Sequence, residues 1–104
     1  MTKVENTQFG LSTHIVNKIK RIFSQHQNIE SACIYGSRAK GTYKPSSDID
    51  ICIDAPDLEY SEYVRLCNEL DDLLLPYEID LTLKSDIDNP DLLDHINSIG
   101  IPIQ

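Results

Sequence analysis

Basic residues are scarce in this chain: 9 lysines and arginines stand against 17 aspartates and glutamates in 104 residues, a net charge of −8. Such a balance repels a phosphate backbone and leaves no basic stripe for a nucleic acid, so direct nucleic-acid binding is not expected. Cysteines are also few. Cys33, Cys52 and Cys67 are odd in number and lack Cys-x-x-Cys spacing, which argues against a disulfide framework or zinc site and for reduced thiols in a cytoplasmic protein. No apolar run approaches the roughly 18 residues of a membrane span. The opening residues 1–8 have no apolar leader region, so no membrane role is expected. Repeats, low-complexity tracts and linkers are missing, and residues 1–104 read as one domain.

What is present alternates between helix-like and strand-like stretches. Ser12 can cap a helix with Ile15, Val16, Ile19, Ile22 and Phe23 at helical spacing, ending near Gln25. The short apolar run Ala32–Tyr35 reads as a buried strand stopping at Gly36, followed by a brief helix from Ser37 to Lys40 with Gly41 as its left-handed stop. Asp48–Asp54 alternates strictly, with Ile49, Ile51 and Ile53 on one face and the acids and Cys52 on the other. Residues 57–75 predict a helix with Tyr63, Leu66, Cys67, Leu70, Leu73 and Leu74 inward, ended by Pro76. Glu78–Leu83 predicts a strand, and Asn89 and Pro90 open a last helix that buries Leu92, Leu93 and Ile96 and stops at Gly100. The apolar tail of residues 101–104 is expected to dock on the sheet or on a partner.

The chemistry sits between these elements. Gly36-Ser37 stands at a strand-to-helix turn, where free amides and a small hydroxyl suit a triphosphate oxygen. After ten intervening residues comes Asp48-Ile49-Asp50, whose carboxylates at i and i+2 on a strand share one face and can hold the same pair of hard cations. Asp80, thirty residues further, shares the polar face of the next strand with Glu78 and Thr82 and would complete the cage. Three such acids repel one another and raise each other's pKa unless cations lie between them, so their convergence makes sense as a metal site.

Gly36-Ser37-Arg38-Ala39-Lys40-Gly41 followed by Ser47-Asp48-Ile49-Asp50-Ile51 resembles the signature of the DNA polymerase β-like nucleotidyltransferase superfamily, and in so short a chain most resembles the minimal nucleotidyltransferases. The resemblance implies an α/β (α+β) fold like the polymerase β palm, a small mixed sheet backed by helices on one face. It implies that Gly36 and Ser37 bind the nucleotide triphosphate, that Asp48 and Asp50 bind two Mg²⁺ ions, and that Asp80 is a further ligand and takes the proton of the attacking hydroxyl. ATP is then the expected donor and AMP the expected group moved, with pyrophosphate released. Such proteins are commonly paired with a small all-helical HEPN-type protein, acting as the antitoxin of a toxin–antitoxin module and adenylylating a partner tyrosine.

Size bears on the acceptor independently. A domain of this length has no room for an acceptor-binding module, so the acceptor must come in trans, and the acidic surface suits a basic partner. Two other readings stand beside partner modification: transfer to a small hydroxyl compound such as an aminoglycoside with a separate acceptor-binding subunit, and a non-catalytic antitoxin acting by occlusion. Arg38, Lys40 and Lys44 are the basic residues near the triphosphate loop, Arg38 and Lys44 being the candidates for phosphate. Asp86-Ile87-Asp88 repeats the acid pair without a Gly-Ser ahead and reads as a solvated loop. His14, His26 and His95 lie at no ligand spacing to one another and are expected to have no catalytic role.

Overall fold

Alternating isoleucines organise this molecule. The computed structural model describes residues 7–103. In it Ile49, Ile51 and Ile53 of one strand are fully buried on a single face. The amino-terminal residues 1–6, read above for the lack of a leader, and Gln104 lie outside the described residues. In chain order the elements are β1 (Thr7–Gln8), β2 (Leu11–Ser12), α1 (Thr13–Ser24), β3 (Ser31–Tyr35), α2 (Gly36–Lys40), β4 (Ile49–Asp54), α3 (Tyr60–Asp71), β5 (Ile79–Leu83), a single 3₁₀ turn (Lys84–Asp86), α4 (Pro90–Ile99) and β6 (Ile101–Pro102). No helix among the described residues is long and apolar enough to cross a membrane.

Four strands form a mixed sheet in the order β5-β4-β3-β6, with β4 and β5 parallel and the other pairs antiparallel. The parallel pair needs a crossover, and α3 supplies it. Val16, Ile19, Ile22 and Phe23 of α1 and Leu66 and Leu70 of α3 pack on the isoleucine face together with Ile34 and Leu81. Each large side chain removed from water there contributes on the order of 1.5–3 kcal/mol. The expected caps are in place: Ser12 Oγ accepts from the Ile15 amide at 3.3 Å, and Asn89 Oδ1 from Asp91 at 2.9 Å ahead of Pro90. The tail takes the first of its two expected places, with Ile101 and Pro102 pairing on β3 and the Ile103 amide donating to the Ala32 carbonyl.

The structure departs from the expected elements at three points. A two-residue hairpin, β1–β2, precedes α1, turning through Phe9 and Gly10 at φ 60° and 73°. The helix expected over 57–75 is shorter at both ends. Leu58 turns back on Ala55 before it, and the Leu73 and Leu74 amides bond Leu70 and Asp71 in tight turns after it, so Pro76 is not its terminator. Leu74, expected inward, is 87 % exposed. Nor do the helices keep to one face: Ile96 and Leu92 of α4 pack with Tyr35, Cys52, Cys33 and Ile87 on the opposite side, because that face of β3 and β4 is itself apolar at one end.

Candidate active site

The second face of the sheet carries the acids. Residues paired across neighbouring strands point the same way. Tyr35 of β3 pairs with Asp50 of β4, and Asp50 pairs in parallel with Asp80 of β5, so Tyr35, Asp50 and Asp80 form one row. Asp48 lies just before β4 and is exposed, as is Asp80, whereas Asp50 is half-buried. The Asp50 carboxyl is pushed above its ordinary pKa, first by burial and then by the charges of Asp80 and Asp48, with His95 opposing. Glu78, on the polar face with Asp80, is exposed and falls just outside β5.

At the end of β3 the backbone turns through Gly36 at φ 73°, a conformation that L side chains avoid. There is a second reason for glycine: a β-carbon at this position would overlap Asp50 Oδ2. The main chain of the Gly36-Ser37 turn therefore lies against the acid row. Ser37 is half-buried at the second residue of α2, and its carbonyl accepts from the Gly41 and Thr42 amides at 3.0 Å each as Gly41 ends the helix at φ 83°.

The Gly36 amide is already engaged, donating to His95 Nε2 at 3.3 Å. The imidazole stands edge-on to the Tyr35 ring at 6.2 Å between centroids. His95, read from spacing alone as having no catalytic role, thus meets the candidate phosphate turn and influences Asp50. A usable signal was its place one residue before the inward Ile96 and three after Leu92, on the buried edge of α4.

Arg38 is placed differently from its expected part as a phosphate contact. It is 2 % exposed and donates from Nε and Nη2 to the Ser47 carbonyl at 3.1 and 2.8 Å, and from Nη1 to the Phe9 carbonyl at 2.8 Å. A longer bond at 3.4 Å reaches the Pro45 carbonyl, and the guanidinium lies over the rings of Tyr43 and Tyr77. Its donors hold the loop just before Asp48. Lys44 and Lys40 are exposed; the Lys44 amide donates to Ser47 Oγ at 2.8 Å. Asp86 and Asp88 are exposed, although Ile87 between them packs against the second-face cluster.

An all-carboxylate donor set with uncompensated negative charge fits a hard cation such as Mg²⁺. Among the described residues no three Asp, Glu, His or Cys side chains already close on one point. The acids line an open face, so an ion held there would complete its shell with phosphate oxygens and water.

Residues 17–104 match the family described as polymerase beta, nucleotidyltransferase. Two proteins of Methanocaldococcus jannaschii, provisionally named protein adenylyltransferases, are similar in sequence. MJ1217 is 38% identical over 77 residues, 73% of this chain and 78% of that protein; MJ1379 is 34% identical over 79 residues, with the same coverage. Among solved structures, a chain of a toxin–antitoxin complex with AMP-PNP aligns with TM-score 0.70 at 24% identity, covering 86% of this chain and 72% of that one. A chain from a complex of tri-AMPylated Shewanella oneidensis HEPN toxin with MNT antitoxin aligns with TM-score 0.64 at 20% identity over 88% and 70%. At these identities the structural likeness speaks for the fold.

Proposed function

The chain belongs to the polymerase beta nucleotidyltransferase family, and from that premise we propose that it moves AMP from ATP to a hydroxyl of a small helical HEPN-type partner protein, as the antitoxin of a two-protein module. The observation that carries the reading is the row Tyr35–Asp50–Asp80 facing the side-chain-free turn at Gly36. Support for the donor and acceptor comes from outside the chain: relatives named as protein adenylyltransferases, and fold neighbours from toxin–antitoxin complexes, one with AMP-PNP and one with a tri-AMPylated toxin.

In this reading the acceptor oxygen attacks the α-phosphorus of ATP, the bond to the bridging oxygen breaks, and pyrophosphate leaves. Asp48 and Asp50 would hold two Mg²⁺ ions, whose chemistry is to sharpen the nucleophile and neutralise the triphosphate. Asp80, exposed on the edge strand β5, would be a further ligand and would take the proton of the attacking hydroxyl. Gly36 lets the phosphate approach the main chain, and Ser37 offers its hydroxyl to a phosphate oxygen. Lys44, exposed in the loop between α2 and β4, is the candidate for a charged phosphate contact. Arg38 instead fixes the loop from which Asp48 projects.

The test uses ATP labelled at either the α- or the γ-phosphate, Mg²⁺, and a small helical HEPN-type protein from the same organism. Label should appear on that protein from α-labelled ATP only, with pyrophosphate released. Transfer of γ-label, or α-label that stays off any protein, overturns the reading.

A further inference from the structure

The same face of the sheet carries a second pair of chemically active side chains, two register steps from the acid row. Cys33 of β3 and Cys52 of β4 are direct partners in the antiparallel ladder. Directly opposed residues in such a ladder lie about 4.5–5.5 Å apart between Cα atoms, whichever hydrogen-bonding class they belong to, inside the roughly 4.4–6.8 Å range that a disulfide spans. Both side chains point to the second face, where they pack together with Tyr35 and Ile96. Cys33 is a part-exposed residue and Cys52 a buried one, the order expected of a reacting thiol backed by a resolving one. Cys67, the third thiol, packs with the isoleucine-face core on the far side of the sheet and cannot reach either.

We propose that Cys33 and Cys52 form an oxidisable dithiol, and that a hydroperoxide closes it into a cross-strand disulfide within one chain. The Cys33 sulfur attacks the peroxide oxygen, the O–O bond breaks, and Cys33 becomes a sulfenic acid with release of water or alcohol. The Cys52 sulfur then attacks the Cys33 sulfur, the S–O bond breaks, and the departing hydroxide takes the Cys52 proton as water. Two thiols are oxidised and one peroxide is reduced. A reducing compartment keeps the pair open, in accord with the reduced thiols expected from the sequence, and only oxidant would close it. Consistent with Cys33 as the sulfur that reacts first, its thiol is held below the ordinary value, chiefly by the hydrogen bond from Cys52 and further by Lys84, against the effect of burial.

The experiment is hydrogen peroxide treatment of the full folded chain, followed by alkylation after unfolding and peptide mapping. Two of the three cysteines should resist alkylation, a single peptide should join Cys33 to Cys52, and the intact mass should fall by two hydrogens. Dithiothreitol should reverse all of it. A C67S chain should behave identically, and a C52S chain should instead yield a Cys33 sulfenic acid that dimedone traps. The proposal is overturned by Cys33 reaching sulfinic or sulfonic acid while Cys52 remains alkylatable, by a bond joining two chains, or by no loss of thiol at peroxide concentrations that consume free cysteine.

Discussion

Gly36 and Asp50 contend for one volume: a β-carbon on residue 36 would overlap Asp50 Oδ2. With φ at 73°, the position is closed to other residues by backbone strain as well as by that carboxylate. Gly36→Ala should cost about 1–2 kcal/mol for the left-handed backbone alone. It should also push Asp50 out of its row and abolish transfer. Chemical denaturation and the α-label assay measure the two effects, and a stable, active alanine variant would mean that the turn does not meet the acid as described.

The three acids are set apart from their neighbour Glu78 by what its side chain does. Asp48→Asn, Asp50→Asn and Asp80→Asn should each lower transfer by on the order of a hundredfold or more, whereas Glu78→Gln should cost little, because Glu78 is exposed ahead of β5 and its bond to β4 is made by its carbonyl, which accepts from the Ile49 amide at 2.8 Å and is untouched by the substitution. An inactive Glu78→Gln beside an active Asp80→Asn would reassign the third acid.

Asp50 also makes a pH prediction. Its folded pKa is raised by burial and by its acidic neighbours, so its contribution to stability is full below the unfolded value and is lost as pH rises through the folded value. In chelator at neutral pH, Asp50→Asn should therefore be more stable than the native chain, the difference vanishing as pH falls toward about 4. Millimolar Mg²⁺ should shrink or reverse it, since the native chain then gains an ion. Urea melts across pH, with and without Mg²⁺, read the sign.

Arg38 and Lys44 should separate cleanly. Hydrogen bonds from a charged donor contribute about 1.5–3 kcal/mol each when buried, and a lysine cannot reproduce the fork that reaches the Ser47 and Phe9 carbonyls. Arg38→Lys should lower stability by about 2–4 kcal/mol without nucleotide present. Lys44→Ala should leave stability unchanged and weaken ATP binding severalfold. Full stability in Arg38→Lys, with ATP affinity lost, would return Arg38 to the phosphate.

His95 occupies the amide that a phosphate would use. If it only holds the place, His95→Ala should tighten ATP binding by up to about tenfold, the worth of one neutral hydrogen bond no longer displaced. Calorimetric titration decides. Weaker binding would show the imidazole contacting the nucleotide.

Much of this was legible in the sequence for a definite reason. Strict alternation in Ile49–Asp54 encodes both which face is buried and where Asp50 points, and caps at Ser12 and Asn89 are local signals that tertiary packing did not override. The rest depends on contacts far apart in the chain. Arg38 sits in the phosphate motif but is drawn away by a carbonyl 29 residues earlier, and His95 meets Gly36 across 59 residues. No spacing rule carries such information. The end of α3 was misplaced because Pro76 supplies a plausible stop, while the helix had already unwound through the tight turns at Leu73 and Leu74.

The Arg38 side chain joins segments that are distant in sequence: the hairpin tip at Phe9, the loop carrying Tyr43 and Ser47, and Tyr77 ahead of β5. Their opening should be cooperative. Native-state hydrogen exchange should show amides around residues 9–12 and 42–48 exchanging through one shared fluctuation, and losing that common rate when Arg38 is replaced, while the β3–β4 ladder keeps its protection.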